Sequence, residues 1–304
     1  MKNFNFIGII FFCFFLACEN IKSADSNTEI ITAVKNNRIP FVDTLEKNHI
    51  IVKALINQKP VYLVVDNGTH PDYYIILFKP AAAAIGLIDT LKPFRLETER
   101  IAATPYSISL SEFRDTSKGI VVHNYGILPK DKLSDGILGM GFLKKYIVAI
   151  DYNQKYLEIF DTANFVVPKL YEEITFKPPY DGPLRNLDIL LYINGKNYPE
   201  NVSLDLGYSL PGFYLSTYHY EKNKKVFDTA GDTTESFSAI RKAVNKSVIL
   251  DSVTILDKTI ANIPSLVALK GNTYSNSILF GNDILQRFGK IYLQLGSNKM
   301  YIKR

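Results

Sequence analysis

Beyond residue 40 the chain runs in short apolar stretches rich in Val, Ile, Tyr and Phe, broken by Asn, Gly, Asp and Pro. Runs of this length and composition, closed by turn residues, predict β-strands rather than helices. The clearest strands are expected at 49–56, 60–65, 147–152, 156–160, 188–193, 248–256 and 290–295. Two turn sequences, Tyr-Asn-Gln-Lys at 152–155 and Leu-Gly-Ser-Asn-Lys at 295–299, predict hairpins near the two ends of the pattern. Helix is expected only at 79–87, with its alanine run, and in short pieces at 140–145 and 283–287. The pattern therefore predicts an all-β protein with few short helices. It breaks at 168–183, where the stretch KPPYDGP is dense in proline and glycine.

The pattern is also repeated. VYLVVDNGTH at 61–70 and ENVSLDLGYS at 200–209 each place one aspartate, Asp66 or Asp205, directly after an apolar run and two residues before a glycine. Upstream, IIVKALINQKP matches ILLYINGKNYP, each reading as two strands around a turn. Downstream, GILGMGFLKKYIVAIDYNQKYLEIF from Gly136 matches SILFGNDILQRFGKIYLQLGSNKMYIKR from Ser277. Gly139 follows Asp66 by 73 residues and Gly281 follows Asp205 by 76, so the spacing is held as well. A period of this size predicts duplicated lobes rather than a solenoid. Their expected bounds are 41–167 and 184–304, joined by the stretch 168–183.

The amino terminus has a different character. One basic residue, Lys2, precedes an apolar run from Phe6 to Leu16, then Ala17 and Cys18, then a polar stretch to about residue 40. This order predicts a signal peptide over 1–17, since an apolar run this short falls below the about 20 residues a spanning helix needs. Phe15-Leu16-Ala17-Cys18 resembles the bacterial lipobox, which implies acylation of Cys18 and a polar tether over 18–40. The protein is then expected to be exported and lipid-anchored to a bacterial membrane, on its periplasmic side or at the cell surface. Of the two cysteines, Cys13 lies in the removed segment, so no disulfide is expected in the mature chain. A formal net charge of +5 without a basic block gives nucleic-acid binding no support. His49, His70, His123 and His219 show no metal-ligand spacing, and Gly139-Met140-Gly141 lacks the third glycine of a nucleotide loop.

A carboxylate at the end of an apolar strand needs hydrogen bonds to be tolerated there. Either aspartate alone reads as a turn residue. Duplication at matched spacing instead predicts a shared site with one carboxylate from each half. In these residues the chain resembles the aspartic protease superfamily, the pepsin-like and retropepsin-like enzymes, whose lobes each carry apolar-apolar-Asp-Thr/Ser-Gly and later apolar-apolar-Gly. The matching residues are Val64-Val65-Asp66-Asn67-Gly68-Thr69 with Ile137-Leu138-Gly139, and Leu204-Asp205-Leu206-Gly207 with 278–281, where Phe280 reads as inserted before the glycine. The end of the first half looks particularly like a bacterial retropepsin-like lobe.

The resemblance implies two β-barrel lobes, a cleft for an extended peptide, and Asp66 and Asp205 as the catalytic pair. It also implies that each apolar-Gly segment is a strand threaded past an aspartate loop, and that no metal or organic cofactor is needed. The expected partners are a peptide or protein substrate and, through the anchor, a membrane; the chain is expected to be a monomer. Tyr106 and Tyr125 lie where the family places a mobile hairpin over the substrate. The supporting loop residues depart from the family. Its Thr or Ser after each aspartate, which bonds across the lobe interface, is replaced by Asn67, which can still donate and accept there with a longer reach, and by Leu206, which can do neither, so the reciprocal arrangement is expected to be broken on one side. Thr69 is placed to hydrogen-bond its own aspartate, Tyr208 puts a bulky ring where the family has a small residue, and Ser209 matches a serine of the family. The implied activity is that of an aspartic-type endopeptidase. The alternative is a peptide- or partner-binding lipoprotein that keeps the cleft with weakened or lost turnover.

Overall fold

The computed structural model describes residues 38–42, 48–95, 99–103, 105–117, 119–123, 134–177, 184–193, 195–228, 231–237, 242–270 and 278–304. The amino-terminal apolar run, Cys18, the tether as far as residue 37 and Tyr125 lie outside the described residues.

The first half supplies β1 (Arg38–Pro40), β2 (Ile51–Ile56), β3 (Lys59–Val65), β4 (Ile75–Phe78), β5 (Leu91–Pro93), β6 (Glu99–Ala102), β7 (Tyr106–Leu110), β8 (Phe113–Ser117), β9 (Ile120–His123), β10 (Gly136–Leu138), β11 (Ile147–Asp151) and β12 (Tyr156–Phe160). Next comes β13 (Tyr171–Thr175), inside the stretch read as the join between the halves. The second half supplies β14 (Arg185–Ile193), β15 (Lys196–Leu204), β16 (Phe213–Leu215), β17 (Thr233–Phe237), β18 (Lys242–Ile255), β19 (Lys258–Lys270), β20 (Ile278–Phe280), β21 (Lys290–Gln294) and β22 (Lys299–Lys303). The helices are short: α1 (Lys79–Ala84), α2 (Met140–Leu143), α3 (Thr217–Lys222), α4 (Lys224–Phe227) and α5 (Asn282–Leu285). Helix α1 stops before Leu87 because Gly86 turns the chain with φ 79°. β18 starts earlier than its apolar run, since the polar residues from Lys242 pair with β17.

Each half builds the same five-strand order around its aspartate, β9-β4-β10-β3-β2 in the first and β19-β16-β20-β15-β14 in the second. The senses match too: β10 is parallel to β3 and antiparallel to β4, and β20 is parallel to β15 and antiparallel to β16. In the second half β14 also pairs with β18, which closes that order into a six-stranded barrel. The registers correct one expectation. Leu138 stands opposite Val65 and Phe280 opposite Leu204, each one residue before the aspartate, so Phe280 takes the place of Leu138 and nothing is inserted.

The glycine that follows each of these strands is fixed by close approach. A Cβ at Gly139 would lie 2.6 Å from the carbonyl oxygen of Tyr73, and one at Gly281 would lie 2.4 Å from that of Tyr208. The threaded strand can pass the aspartate loop only where a side chain is missing.

A third sheet, β1-β12-β11-β21-β22-β13, takes strands from both halves and joins their final hairpins through β11 and β21. Every residue of β11 is buried, because both faces are covered. Val148 and Ile150 enter the main core, while Ile147 and Ala149 pack with Phe160, Tyr292 and Tyr301 on the opposite side. The continuous run IVAI is thus the mark of a strand buried on two faces rather than one.

Candidate active site

Both aspartates stand one residue beyond a strand end, with their backbone N–H groups captured by the threaded strands. Asp66 N–H donates to Leu138 O at 3.1 Å and Asp205 N–H to Phe280 O at 2.9 Å. The turn that follows folds back on each side chain. Gly68 N–H donates to Asp66 Oδ1 at 2.6 Å, and Gly207 N–H donates to Asp205 Oδ1 at 2.9 Å. The two predicted carboxyl groups are brought together: a Cβ at Gly68 would lie 3.0 Å from Asp66 Oδ1 and 3.5 Å from Asp205 Oδ1. The approach is close enough that a Cβ at Gly207 would sit 2.6 Å from Asp66 Oδ2.

Electrostatics separates the two acids. Burial raises the affinity of Asp66 for its proton, but the Gly68 N–H and the positive field of His49 pull against it. Asp205 is pushed up to about 8, by burial first and by the neighbouring Asp66 charge second. Two carboxylates in contact cannot both ionise easily, so the pair titrates as a unit that keeps one proton.

The interface between the loops differs from the expectation of a half-broken clamp. Asn67 is fully buried and uses both ends of its amide on the opposite loop: Nδ2 donates to Leu204 O at 2.8 Å, and Oδ1 accepts from Leu206 N–H at 2.7 Å. A hydroxyl on each side is thus replaced by one amide on one side. Leu206 contributes only its backbone, while its side chain is 0% exposed and belongs to the main core. Changing Leu206→Thr is therefore expected to destabilise the protein by about 2–5 kcal/mol, as loss of buried leucine volume does, without raising turnover. Thermal unfolding and a rate assay check this, and a large gain in rate would show that the interface was limiting after all.

Thr69 also acts otherwise than expected. Its Oγ1 accepts from Met140 N–H at 2.8 Å, pinning the loop to the start of α2 instead of bonding Asp66. Tyr208 is buried among Tyr214, Leu266, Ala268 and Leu279, with its hydroxyl donating to Pro211 O at 3.3 Å, so its bulk fills space behind the loop. The backbone carbonyl of Ser209 accepts from Asn48 Nδ2 at 3.2 Å.

That last bond belongs to a group the sequence did not single out. His49 Nε2 lies 3.2 Å from Gly207 O. Asn282 Nδ2 donates at 2.8 Å to both Leu206 O and Asn48 O, and its own Oδ1 accepts from Tyr152 O–H at 2.8 Å. Asn48, His49 and Tyr152 from the first half thus brace the second aspartate loop. A signal was present for Asn282 alone, as the polar residue directly after the threaded glycine, where the first half has Met140.

Tyr106 is buried in the main core at the start of β7 and so is not available to cover a substrate. The hairpin near the first aspartate loop is instead β5–β6, where Phe94 packs on Tyr73 with ring centroids 5.8 Å apart. Arg95 beside it pairs with Asp72 at 2.5 Å and contacts His70. One other trio resembles a nucleophile site: Ser216 Oγ is 2.9 Å from His219 Nδ1, and His219 Nε2 is 3.5 Å from Glu200 Oε2. With Ser216 at 0% and His219 at 3% exposure, no substrate carbonyl reaches that hydroxyl, and the contacts hold the start of α3.

The chain is similar in fold to solved aspartic proteases. One is an aspartic proteinase from Irpex lacteus, 10% identical over 88% of this chain and 96% of that one, with a TM-score of 0.47. Another is a retropepsin-like aspartic protease from Rickettsia conorii, 17% identical over 43% of this chain and 89% of that one, with a TM-score of 0.31. No protein-family model and no curated protein sequence matches the chain.

Proposed function

We propose that the chain is an aspartic-type endopeptidase in which Asp66 and Asp205 activate one water between them. The observation that carries this reading is the approach of two buried carboxyl groups from separate loops, with a Cβ at Gly68 placed 3.0 Å from Asp66 Oδ1 and 3.5 Å from Asp205 Oδ1. Ionised Asp66 takes a proton from the water, whose oxygen bonds to the peptide carbonyl carbon. Asp205 gives its proton to the carbonyl oxygen as negative charge develops there. Collapse of the tetrahedral diol returns a proton to Asp205, while Asp66 passes the water's proton to the leaving nitrogen as the C–N bond breaks. The products are a carboxylic acid and an amine, and the pair is restored.

Incubation of the purified protein with an unfolded polypeptide from acidic to neutral pH tests this. Cleavage is expected, and a peptide isostere carrying a hydroxyl in place of the scissile carbonyl is expected to block it. Binding of that isostere without any cleavage would favour the peptide-binding alternative. A further part of the proposal is the site of action, at the cell envelope through acylated Cys18. Incorporation of labelled palmitate that disappears in Cys18→Ser is the expected result, and labelling that persists would remove the anchor.

A further inference from the structure

We propose that His49 is a positioning residue of the aspartate pair: through the Gly207 carbonyl it holds the residue whose N–H donates to Asp205, and so ties the geometry of the pair to an imidazole. This deepens the proposed function and rests on that reading.

The contact itself fixes the direction of the bond. A carbonyl oxygen only accepts, so at 3.2 Å His49 Nε2 carries the hydrogen and donates it to Gly207 O. The residue thus held, Gly207, donates its own N–H to Asp205 Oδ1 at 2.9 Å, and the next N–H, on Tyr208, closes the turn on the backbone carbonyl of Asp205 at 3.1 Å. One imidazole therefore grips the residue whose N–H orients the Asp205 carboxyl group.

His49 also acts directly, since its charge favours the ionised form of Asp66. Titratable groups of the surrounding elements include Asp66 and Asp205 from the two loops, Tyr152 from the β11–β12 turn, and Asp283 from α5. Tyr152 is kept neutral by burial, and Asp283 is turned away to the Gly212 N–H and Arg287. A protonated ring assists the loss of the first proton from the pair, and a neutral ring does not.

Two variants separate holding from charge. His49→Gln retains an N–H donor for the carbonyl without the cation, whereas His49→Leu retains neither. In His49→Gln the acid limb of the kcat/KM profile is expected to move up by about 1 pH unit, with KM little changed. In His49→Leu the same shift is expected together with a fall in kcat on the order of 10- to 100-fold, because the loop is no longer fixed. Carboxyl-carbon NMR titration of Asp66 and Asp205 in each protein gives a readout that needs no turnover. Carboxyl titrations that coincide in the wild type and both variants would overturn the role of His49, whether or not the enzyme cleaves. Titrations that shift in a wild type unable to cleave would keep His49 and overturn the endopeptidase reading instead.

Discussion

Asp205→Asn is expected to lower turnover by roughly 10²- to 10⁴-fold while raising the melting temperature at neutral pH. The loss follows because an amide cannot give a proton to the developing oxyanion. The gain follows from linkage. A group whose affinity for its proton is raised by folding favours the folded state when protonated, and that contribution disappears as pH rises through the folded value. For Asp205 the window runs from 3.8, its ordinary value, to about 8. Above it the protein must hold a second negative charge in a desolvated site, at a penalty on the order of a few kcal/mol. Asparagine is isosteric, still accepts from the Gly207 N–H, and has no proton to lose. The difference in melting temperature between variant and wild type should therefore be small near pH 3 and largest above pH 8. Asp66→Asn should behave in the same direction, since its proton affinity is also raised by burial. A structural carboxylate gives the opposite result, because removing it lowers stability. If either variant cleaves at the wild-type rate, or melts earlier across the whole range, the aspartates are not a catalytic pair.

How much of this was legible in the sequence depends on which residues carry periodic information. The strands flanking each aspartate were readable where β2, β3 and β14 alternate or run apolar for long enough to exclude helix, whereas β15, polar over most of its length, was legible only through its match to the first half. The register at Phe280 was not, because the sequence between Leu204 and Ile278 cannot say which residue stands opposite which; only the pairing with β15 decides it. The aspartates themselves were found through their repetition. Their neighbours were read correctly as departures and wrongly as a loss, since the sequence shows that Leu206 has no hydroxyl but not that Asn67 reaches two backbone groups at once. Asn48, His49 and Tyr152 were invisible for the same reason. Asn48 and His49 act across a long sequence separation on backbone carbonyl groups that no residue type advertises, and Tyr152 acts on the same loop only through Asn282.

Asn67→Ala should produce the largest combined effect on stability and rate. The amide is fully buried, and its removal strands Leu204 O and Leu206 N–H in an interface closed to water. Each buried backbone group left without a partner costs about 1–3 kcal/mol, so destabilisation of about 2–6 kcal/mol is expected. The rate should fall beyond what unfolding explains, because those two groups flank Asp205, and a shift of about 1 Å in a reacting group costs on the order of 100-fold. Chemical denaturation and turnover measured on the folded fraction separate the two. Asn67→Thr alone should recover little, since a single hydroxyl on a shorter stem cannot span both partners. Combined with Leu206→Thr it restores a hydroxyl on each loop, and the two changes should then couple favourably in a double-mutant cycle. Additive behaviour would mean that the hydroxyls do not meet across this interface. A folded Asn67→Ala protein with undiminished rate would mean that the bracing from Asn48, His49 and Asn282 suffices to hold the second aspartate loop in place.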